Sequence, residues 1–555
     1  MKHRFFSECM NDIHDGYSFK SNVIFKDESI LQIILYQDAF EIVNPLGSSK
    51  GNQKLIGVYF TLGNFYHQNR SSVEHLQLLF LCKEKNLHLF GSQKVFRLLL
   101  EELKEQEDGV VVDGVEIKAA LFCIVGDNLG QHFIGGFTQN FSTSNYMCRY
   151  CLLKRENFKK MKVPVLNVER RTPENYDFAV ANLHNNSEYE GIKHKSIFNE
   201  LKHFHVCSPS LPPCLGHDLF EGIVPLDLSL YVAYFIKVKK WFTYRILNNL
   251  IKRTTLKGKD TSCKLVTFNA NGKKLSGNAS QNWCTLRFFP IIAYNLIDTS
   301  DDVWKLLLHL REIVEFIVAP KITHAQIAYL RVLIEEYLEF RKKLFPTKSL
   351  KPKHHFLHHY PELILQFGPL IRLWTLRFES KHSYFKRIAK RCQNFRNITK
   401  TLSVKHQLLQ AFNFNGTFFP EPLKFNSSGV FHPNLYDMNI QNVVRQLNDS
   451  HDFIMSHKIE MNGTEYSSGQ FLQIEKLDFH TEMGEIQFIL ISNDIPYFLL
   501  NIYVCVWLSE RGIFSITPTD KYKLVKHTCL IDFYPLSVYT IENRQFIVLK
   551  HKIAQ

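Results

Sequence analysis

Two apolar stretches, SILQIILYQ (residues 29–37) and EIKAALFCIVG (residues 116–126), each end at an aspartate, Asp38 and Asp127. Their Ile, Leu and Val content and their bounding turn residues are typical of buried strands. The turn-rich NPLGSSKGNQ follows the first stretch and leads to a second strand-like run, LIGVYFTLG. The spacing in GSQKVFRLLLEELKEQE predicts a helix with Ser92 as its N-cap, whereas residues 73–90 fit a strand or a helix. This order of strands, helix and central strand predicts the first half of an RNase H-like sheet.

A third acid, Glu379, stands in LWTLRFESKHSYFKRIAKR, which is typical of a helix. Phosphoryl transfer on DNA uses two metal ions that clamp the attacking and leaving oxygens, and hard divalent cations prefer carboxylate oxygens. We therefore predict that Asp38, Asp127 and Glu379 bind Mg²⁺ or Mn²⁺. From the residues alone, Glu221 in GHDLFEG is a nearly equal candidate for the third acid, and the other interpretation of that segment is a capped helix start.

A structural zinc site is predicted from cysteines and histidines. Cys148 and Cys151 form the motif CRYC, which has zinc-knuckle spacing. The stretch KPKHHFLHHYP supplies His355 and His359, which are four residues apart and so share one face of a helix. His354 begins the same spacing one residue earlier and is the alternative ligand. A redox role for CRYC lacks a thioredoxin-like context.

The domain organisation follows from changes in pattern along the chain. Helical spacing dominates the region after the second aspartate, and five short β-rich runs near the C-terminus predict a small antiparallel barrel or sheet. The fold class is α/β, with these predicted parts: an N-terminal extension (1–28), the first part of an RNase H-like core (29–138), a mainly α-helical, zinc-containing insertion (139–375), the core helix carrying the third acid (376–414) and a C-terminal β-rich domain (415–555).

Composition narrows the class of protein. The chain has 555 residues and a formal net charge of +14, which favours a polyanionic partner. Twelve cysteines are too sparse for a disulfide scaffold. No run of about 18 apolar residues predicts a membrane span, and no signal-peptide core is present. Basic residues beside Glu379 could contact phosphate: Lys381, Lys386 and Arg387.

Four blocks of the sequence resemble one family of transposases. They are LYQDAFEIVNPLGSSKG, IVGDNLGQHFIGGFTQNFSTSNYMCRYC, LPPCLGHDLFEGIVP and PKHHFLHHYPELILQFGPLIRLWTLRFESKHSYFKR. In this order they are similar to the CACTA/EnSpm-type DDE DNA transposases of animal genomes, members of the CMC superfamily related to the plant Tnp2-type enzymes. The resemblance covers roughly residues 29–412, and the β-rich tail is also similar.

The resemblance implies a DDE transposase in which Asp38 and Asp127 are the two aspartates. The helical insertion, the CxxC motif and the paired histidines are also similar to the recombination-activating recombinase. In that pattern the interval from His359 to the helix glutamate favours Glu379 over Glu221. The implied partners are double-stranded DNA, at transposon ends and target, and further copies of the chain. The implied location is the nucleus, with no membrane association.

Two departures from the family pattern open an alternative. Cys214 stands where the family has an acid, and Gly216 stands where it has Met. Asp38 lies so near the N-terminus that we expect a separate protein to bind the transposon ends, or a truncated or domesticated copy. The alternative function is a catalytically inactive, transposase-derived DNA- or chromatin-binding protein. A zinc hydrolase is a weaker hypothesis because no HExxH-type arrangement occurs.

Overall fold

The protein is mixed α/β and divides into two compact units. This computed structural model describes residues 8–42, 54–160, 168–183, 187–393, 395–415, 421–426, 429–446, 453–477 and 480–553. The first unit comprises Met1–Ile223 and Pro320–Phe419, and the second comprises Val224–Ala319 and Pro420–Gln555. The segment 224–319, expected within the zinc-containing insertion, thus groups with the C-terminal region.

A four-stranded sheet is the centre of the first unit. Its strand order is Gln77–Lys83, Lys54–Leu62, Leu31–Glu41 and Ala119–Gly126. The first three pair antiparallel, and the last pairs parallel to Leu31–Glu41. We call Leu31–Glu41 the Asp38 strand and Ala119–Gly126 the Asp127 strand. Most of the turn-rich segment between the first two strands in sequence lies outside the described residues.

Apolar side chains on both faces explain why the Asp38 strand and the Asp127 strand are continuous hydrophobic runs. The Asp127 strand, predicted to be central, is the last strand of this four-stranded sheet. Every residue of the Asp127 strand is buried, as expected for a parallel strand covered on both faces. Leu35 and Ile124 pack into one core with Leu100 of the helix Arg97–Asp108. The helical segment Glu84–Val95 is broken at Gly91, whose φ of 76° and ψ of 163° are non-helical, so Ser92 is the first residue after the break.

Shorter elements complete the first unit. The remaining strands are Cys9–Met10, Val110–Val112, Val115–Ile117 and Ile322–Thr323. The remaining α-helices are Tyr17–Lys20, His67–Arg70, Asn128–Ile134, Arg155–Lys160, Pro173–Ala181, His324–Leu344, Pro352–Leu357, Tyr360–Phe367, Leu376–Cys392 and Ile398–Phe414. The segment Gly216–Ile223 is a π-helix, and 3₁₀ turns occur at Ile13–Asp15, Val23–Lys26, Val73–His75, Ile197–Glu200 and Leu370–Leu373.

The second unit combines helices with a large antiparallel sheet. Its α-helices are Val224–Lys237, Tyr244–Arg253, Ala279–Ile292, Asp302–Ile317 and Met438–Arg445. Its longest strands are Phe471–Leu477, His480–Ser492, Ile495–Leu508 and Ile513–Lys526. The shorter strands are Leu423–Phe425, Gly429–Val430, Ile454–Ser456, Lys458–Met461, Thr464–Ser467, Asp532–Leu536, Val538–Ile541 and Arg544–Ile547. The predicted β-rich region is thus present, as a nine-stranded and a three-stranded sheet. Across the described residues no strand pair joins the two ends of the larger sheet into a ring.

One helical segment is unusually apolar. Gly216–Lys237 has 22 residues and a mean hydropathy of 1.5 in its most apolar window. By length and composition alone it could cross a membrane, whereas the sequence analysis predicts no span. Over half of that window, 56%, is buried inside the protein, as is usual for a core helix.

Candidate acidic site and metal centre

Asp127 directly follows its strand, whereas Asp38 lies inside a strand that continues to Glu41 and pairs Asp38 with Gly57. The prediction that both acids stand at strand ends is therefore corrected for Asp38. The parallel register pairs Gln37 with Gly126, so Asp38 and Asp127 are the next residues of adjacent strands. Asp127 is the N-cap of the helix Asn128–Ile134, and its Oδ1 accepts a 2.6 Å hydrogen bond from the Gly130 amide. A Cβ on Gly130 would lie only 3.0 Å from that oxygen, so glycine allows the helix to start this close to the acid.

Asp38 is held by local donors and is destabilised by neighbouring charge. One oxygen accepts from the Ala39 amide at 2.7 Å and the other from the Tyr36 hydroxyl at 3.0 Å. Burial, followed by the negative charge of Asp127 and then that of Glu379, raises the pKa of Asp38 to about 7. The three predicted acids therefore act on one another electrostatically.

Glu379 occupies the first turn of the helix Leu376–Cys392, which we call the Glu379 helix. Thr375 Oγ1 donates to its carboxylate at 3.2 Å. Burial raises the pKa of Glu379, and the charges of Glu221 and Asp127 add to this, while the charge of His217 opposes it. Both candidates for the third acid thus share one neighbourhood, and Glu379 is the one that interacts with both aspartates. We call Asp38, Asp127, Glu379 and Glu221 the acidic site.

A cysteine–histidine pair adjoins the acidic site, and sequence reasoning did not assign it a role. His217 and Glu221 both lie in the π-helix, a geometry that often marks functional positions. His217 Nδ1 lies 3.1 Å from Cys214 Sγ, and its Nε2 lies 3.9 Å from Glu221 Oε2. The hydrogen bond with Cys214 and nearby acidic charge raise the pKa of His217 to about 10. The i,i+4 spacing of His217 and Glu221 is the sequence feature that indicates this contact.

A second histidine approaches Asp38 without forming an ion pair. His382 Nδ1 lies 3.8 Å from Asp38 Oδ2. Burial lowers the pKa of His382 to about 3, so its imidazole is neutral at pH 7. Its ring stacks on Phe40 at a centroid distance of 4.2 Å. His382 therefore packs beside Asp38 as a neutral aromatic ring and does not balance the charge of the acid.

The structure brings together the four residues predicted to bind zinc. Among the described residues, Cys148, Cys151, His355 and His359 form the one group of three or more ligands whose donor atoms all lie within 4.8 Å of one another. The Cys148 Sγ–His359 Nε2 distance is 3.4 Å, and the distances from Cys151 Sγ and from His359 Nε2 to His355 Nε2 are both 3.2 Å. A tetrahedral zinc site requires S–N and N–N separations of about 3.5 Å and about 3.4 Å. The donor set therefore fits zinc in type and in spacing.

Local structure explains which histidines belong to this metal centre. His355 lies in the helix Pro352–Leu357, and His359 is the N-cap of the next helix, Tyr360–Phe367. Burial lowers the pKa of His359, which favours the neutral imidazole that metal ligation needs. The alternative ligand His354 is engaged elsewhere, because its Nδ1 accepts from the Lys351 amide at 3.0 Å.

The three basic residues of the Glu379 helix differ in accessibility. Lys386 and Arg387 are exposed. Lys381 is 2% exposed and donates to the Val73 carbonyl at 2.9 Å. The prediction that Lys381 contacts phosphate is therefore corrected: its ammonium group satisfies a buried carbonyl.

The four acids are spaced more widely than the donors of the metal centre, because no three of them bring carboxylate oxygens within 4.8 Å of one another. Two ions about 3.5–4 Å apart need ligands spread over a wider volume than one ion does. Comparison of the chain with models of protein families and with curated proteins finds no match.

Proposed function

We propose that this protein is a DDE-type DNA nucleotidyl transferase that cleaves transposon ends and joins them to target DNA. In this proposal the four-stranded sheet and the Glu379 helix form an RNase H-like catalytic core. The strand pairing supports it, because the last parallel pair, Gln37 and Gly126, is followed on one strand by Asp38 and on the other by Asp127. The resemblance of four sequence blocks to CACTA/EnSpm-type transposases points to the same function.

The observation that carries the proposal is the position of Asp38 and Asp127 on adjacent parallel strands, with Glu379 near enough for its charge to act on both. The charges of Asp127 and Glu379 contribute to the rise in the pKa of Asp38 to about 7. Clustering like charges in a half-buried site costs stability unless a cation binds there, and pKa values perturbed in this way are concentrated at functional sites. Carboxylate oxygens suit Mg²⁺ and Mn²⁺, so the donor set fits the predicted metal ions.

The chain's own groups hold the acids in place. The Ala39 and Gly130 amides fix one oxygen of Asp38 and of Asp127, respectively. The Thr375 hydroxyl orients Glu379 from the start of its helix. When bound, divalent cations would activate the attacking oxygen and neutralise charge on the scissile phosphate. The proposed reaction begins with hydrolysis of a phosphodiester, in which water attacks phosphorus and a 3′-hydroxyl leaves. That 3′-hydroxyl then attacks a target phosphodiester, forming a new P–O bond and displacing the 3′-oxygen of the target strand.

The metal centre has a structural role in this proposal. Its two cysteines and its two histidines come from segments that are far apart in the sequence. Cys151 and His355, for example, are separated by 204 positions. A closed, buried Cys₂His₂ set leaves no open position for substrate. Zinc would therefore tie the loop of Cys148 and Cys151 to the helices that precede Glu379.

The proposed partner is double-stranded DNA in the nucleus, with further copies of the chain so that two ends are cut together. The net charge of +14 and the exposed Lys386 and Arg387, on the helix that carries Glu379, support contact with phosphates.

The test measures metal binding and DNA cleavage on the same protein. Mn²⁺ is titrated by calorimetry into the wild type, Asp127→Ala and the control Asp520→Ala, and supercoiled plasmid is the cleavage substrate. Asp520 is exposed in the strand Ile513–Lys526 and is remote in sequence from the acids. We expect two Mn²⁺ per chain and Mn²⁺-dependent nicking for the wild type and Asp520→Ala, and loss of both for Asp127→Ala.

Two results would count against the proposal in different ways. If the wild type binds no Mn²⁺ and leaves the plasmid intact, the inactive, transposase-derived DNA-binding function is favoured. If Asp127→Ala nicks DNA as fast as the wild type, the cleavage arises elsewhere and the assigned acids are wrong.

A further inference from the structure

A buried polar chain joins the metal centre to the acidic site, and we propose that it positions Asp127 according to the state of the metal centre. The chain consists of Arg149, Asn128, Asp218 and Tyr360. We call it the polar relay. This inference rests on the proposed function for its catalytic meaning, but its structural part can be tested separately.

The contacts of the polar relay are continuous. Arg149 Nη1 donates to Asn128 Oδ1 at 2.8 Å. Asn128 Nδ2 donates to Asp218 Oδ1 at 2.6 Å. The Tyr360 hydroxyl donates to the other oxygen, Asp218 Oδ2, at 3.2 Å. Both oxygens of Asp218 thus accept, as those of a carboxylate do.

Each member of the polar relay is a sequence neighbour of a site residue. On the metal-centre side, Arg149 lies between the two cysteines, and Tyr360 directly follows His359. On the acidic side, Asn128 directly follows Asp127, and Asp218 directly follows His217. The relay therefore connects the backbones that carry both sets of functional side chains.

Burial makes these contacts energetically important. Asp218 is 0% exposed and Arg149 is 3% exposed, so both charges are removed from water. The Asn128 amide stands between them, with its NH₂ group toward the carboxylate and its oxygen toward the guanidinium. In the described part of the chain, Nε and Nη2 of Arg149 have no hydrogen-bond partner. Arg149 is therefore held by the Asn128 amide and by the ring of Tyr150, 4.4 Å from its Cζ.

The polar relay fixes the position of the start of the helix Asn128–Ile134. Asn128 is its first residue, and Asp127 is its N-cap. A shift of the loop of Cys148 and Cys151 would move Arg149 and, through the amide, the start of this helix. Outer contacts of this kind typically change metal affinity by about tenfold to a hundredfold. Arg149, Asn128, Asp218 and Tyr360 are thus positioning residues, since none belongs to either ligand set.

The test is hydrogen exchange of the helix Asn128–Ile134, measured with zinc bound and after chelation. In the wild type we expect chelation to speed exchange there more than in the strand Lys54–Leu62. In Asn128→Ala we expect fast exchange even with one zinc per chain, little further change on chelation, and about tenfold weaker Mn²⁺ binding. Asn249→Ala, at an exposed helix position, is the control and should match the wild type. Tyr360→Phe removes one hydroxyl and should give a smaller effect of the same kind.

The proposal is overturned if chelation leaves exchange in Asn128–Ile134 unchanged in the wild type, or speeds it equally in Lys54–Leu62. It is also overturned if Asn128→Ala responds to chelation as the wild type does. Should Asn128→Ala not fold, the wild type and Tyr360→Phe decide by the same criteria. Absence of Mn²⁺ binding to the wild type, with the zinc dependence of exchange intact, refutes the proposed function and leaves the relay standing.

Discussion

His217 Nε2 lies 3.9 Å from Glu221 Oε2, one turn away along the same π-helix. The raised pKa of His217, about 10, keeps its imidazole charged at neutral pH. The acidic site is therefore adjoined by one cation, whose charge opposes the rise in the pKa of Glu379. This contact places Cys214, the residue that departs from the transposase pattern, directly beside the acids, because Cys214 is the hydrogen-bond partner of His217.

His217→Gln should destabilise the metal-free protein by about 1 kcal/mol, because it removes the hydrogen bond with Cys214 that contributes most to the raised pKa of His217. A group whose pKa is raised on folding contributes most below its unfolded value. The difference should therefore be full below about pH 6.5 and disappear as the pH rises through about 10. Thermal unfolding of the variant, with His432→Gln at an exposed position as control, measures this difference. Equal stabilities at pH 6 would contradict it.

Replacing the two glutamates separately should identify the third acid. Glu379→Gln is expected to remove one Mn²⁺ from the isotherm and to reduce nicking at least about a hundredfold, because Glu379 interacts with both aspartates. Glu221→Gln should reduce nicking less than about tenfold. The two variants differ by the same single group, so each serves as the control of the other. The reverse order of effects would assign Glu221 as the ligand.

Asp38→Asn should stabilise the metal-free protein at pH 8. The pKa of Asp38 is raised from its ordinary value to about 7, so the unfolded chain releases this proton first. The wild type therefore loses stability as the pH rises from about 4 to about 7. The full effect would be about 4 kcal/mol, but about one-fifth of the side chain is exposed, and we expect about 1–2 kcal/mol.

Denaturant unfolding of wild type and Asp38→Asn at pH 4 and pH 8 measures this effect, with Asp520→Asn as control. Excess Mn²⁺ should reverse the sign at pH 8, since only the wild type retains the full ligand set. If the difference in unfolding free energy between the wild type and Asp38→Asn is the same at pH 8 as at pH 4, the ionised Asp38 carboxylate is not destabilised in the folded protein.

His355→Ala should lose zinc, whereas His354→Ala should keep it. His355 Nε2 is within 3.2 Å of two other donor atoms of the metal centre, while His354 accepts from the Lys351 amide. Loss of that cap should cost about 1 kcal/mol without changing metal content. Zinc per chain, measured by mass spectrometry of the metal, distinguishes the two variants. Zinc lost from both would mean that the alternative ligand also takes part.

Lys386→Gln combined with Arg387→Gln should weaken DNA binding and reduce its salt dependence. Each phosphate contact removed lowers the slope of log K against log salt by about 0.9, so the double variant should lose about 2. Lys381→Met should leave this slope unchanged, because its ammonium donates to the Val73 carbonyl. Fluorescence anisotropy of a labelled duplex at several salt concentrations measures the slope.

The strands and the ligand spacings could be predicted from the sequence, because each depends on residues that lie close together along the chain. The apolar runs before Asp38 and Asp127 predict the two strands, and the structure confirms both as Leu31–Glu41 and Ala119–Gly126. The CxxC and HxxxH intervals predict the metal centre, because each pair presents two donors to one point. Both predictions use only the order and spacing of residues within short segments.

Other features depend on contacts that no local pattern contains. His355 rather than His354 is the ligand because a helix starts at Pro352, and the Lys351 amide before it donates a hydrogen bond to His354. The buried position of Lys381 depends on a hydrogen bond to the carbonyl of Val73, which is 308 positions away in the sequence. The grouping of Val224–Ala319 with the C-terminal sheet likewise depends on packing between distant segments.

The wide sequence separation of the four predicted ligands determines when the metal centre can form during synthesis. Cys151 and His355 are 204 positions apart, and a ribosome adding about 5–20 residues per second needs about 10–40 s to cover that interval. During this time the nascent chain exposes two thiols without their histidine partners. The four-residue donor set is incomplete until His359 has been synthesised, so a metal ion bound by all four ligands cannot protect the two thiols from oxidation before then.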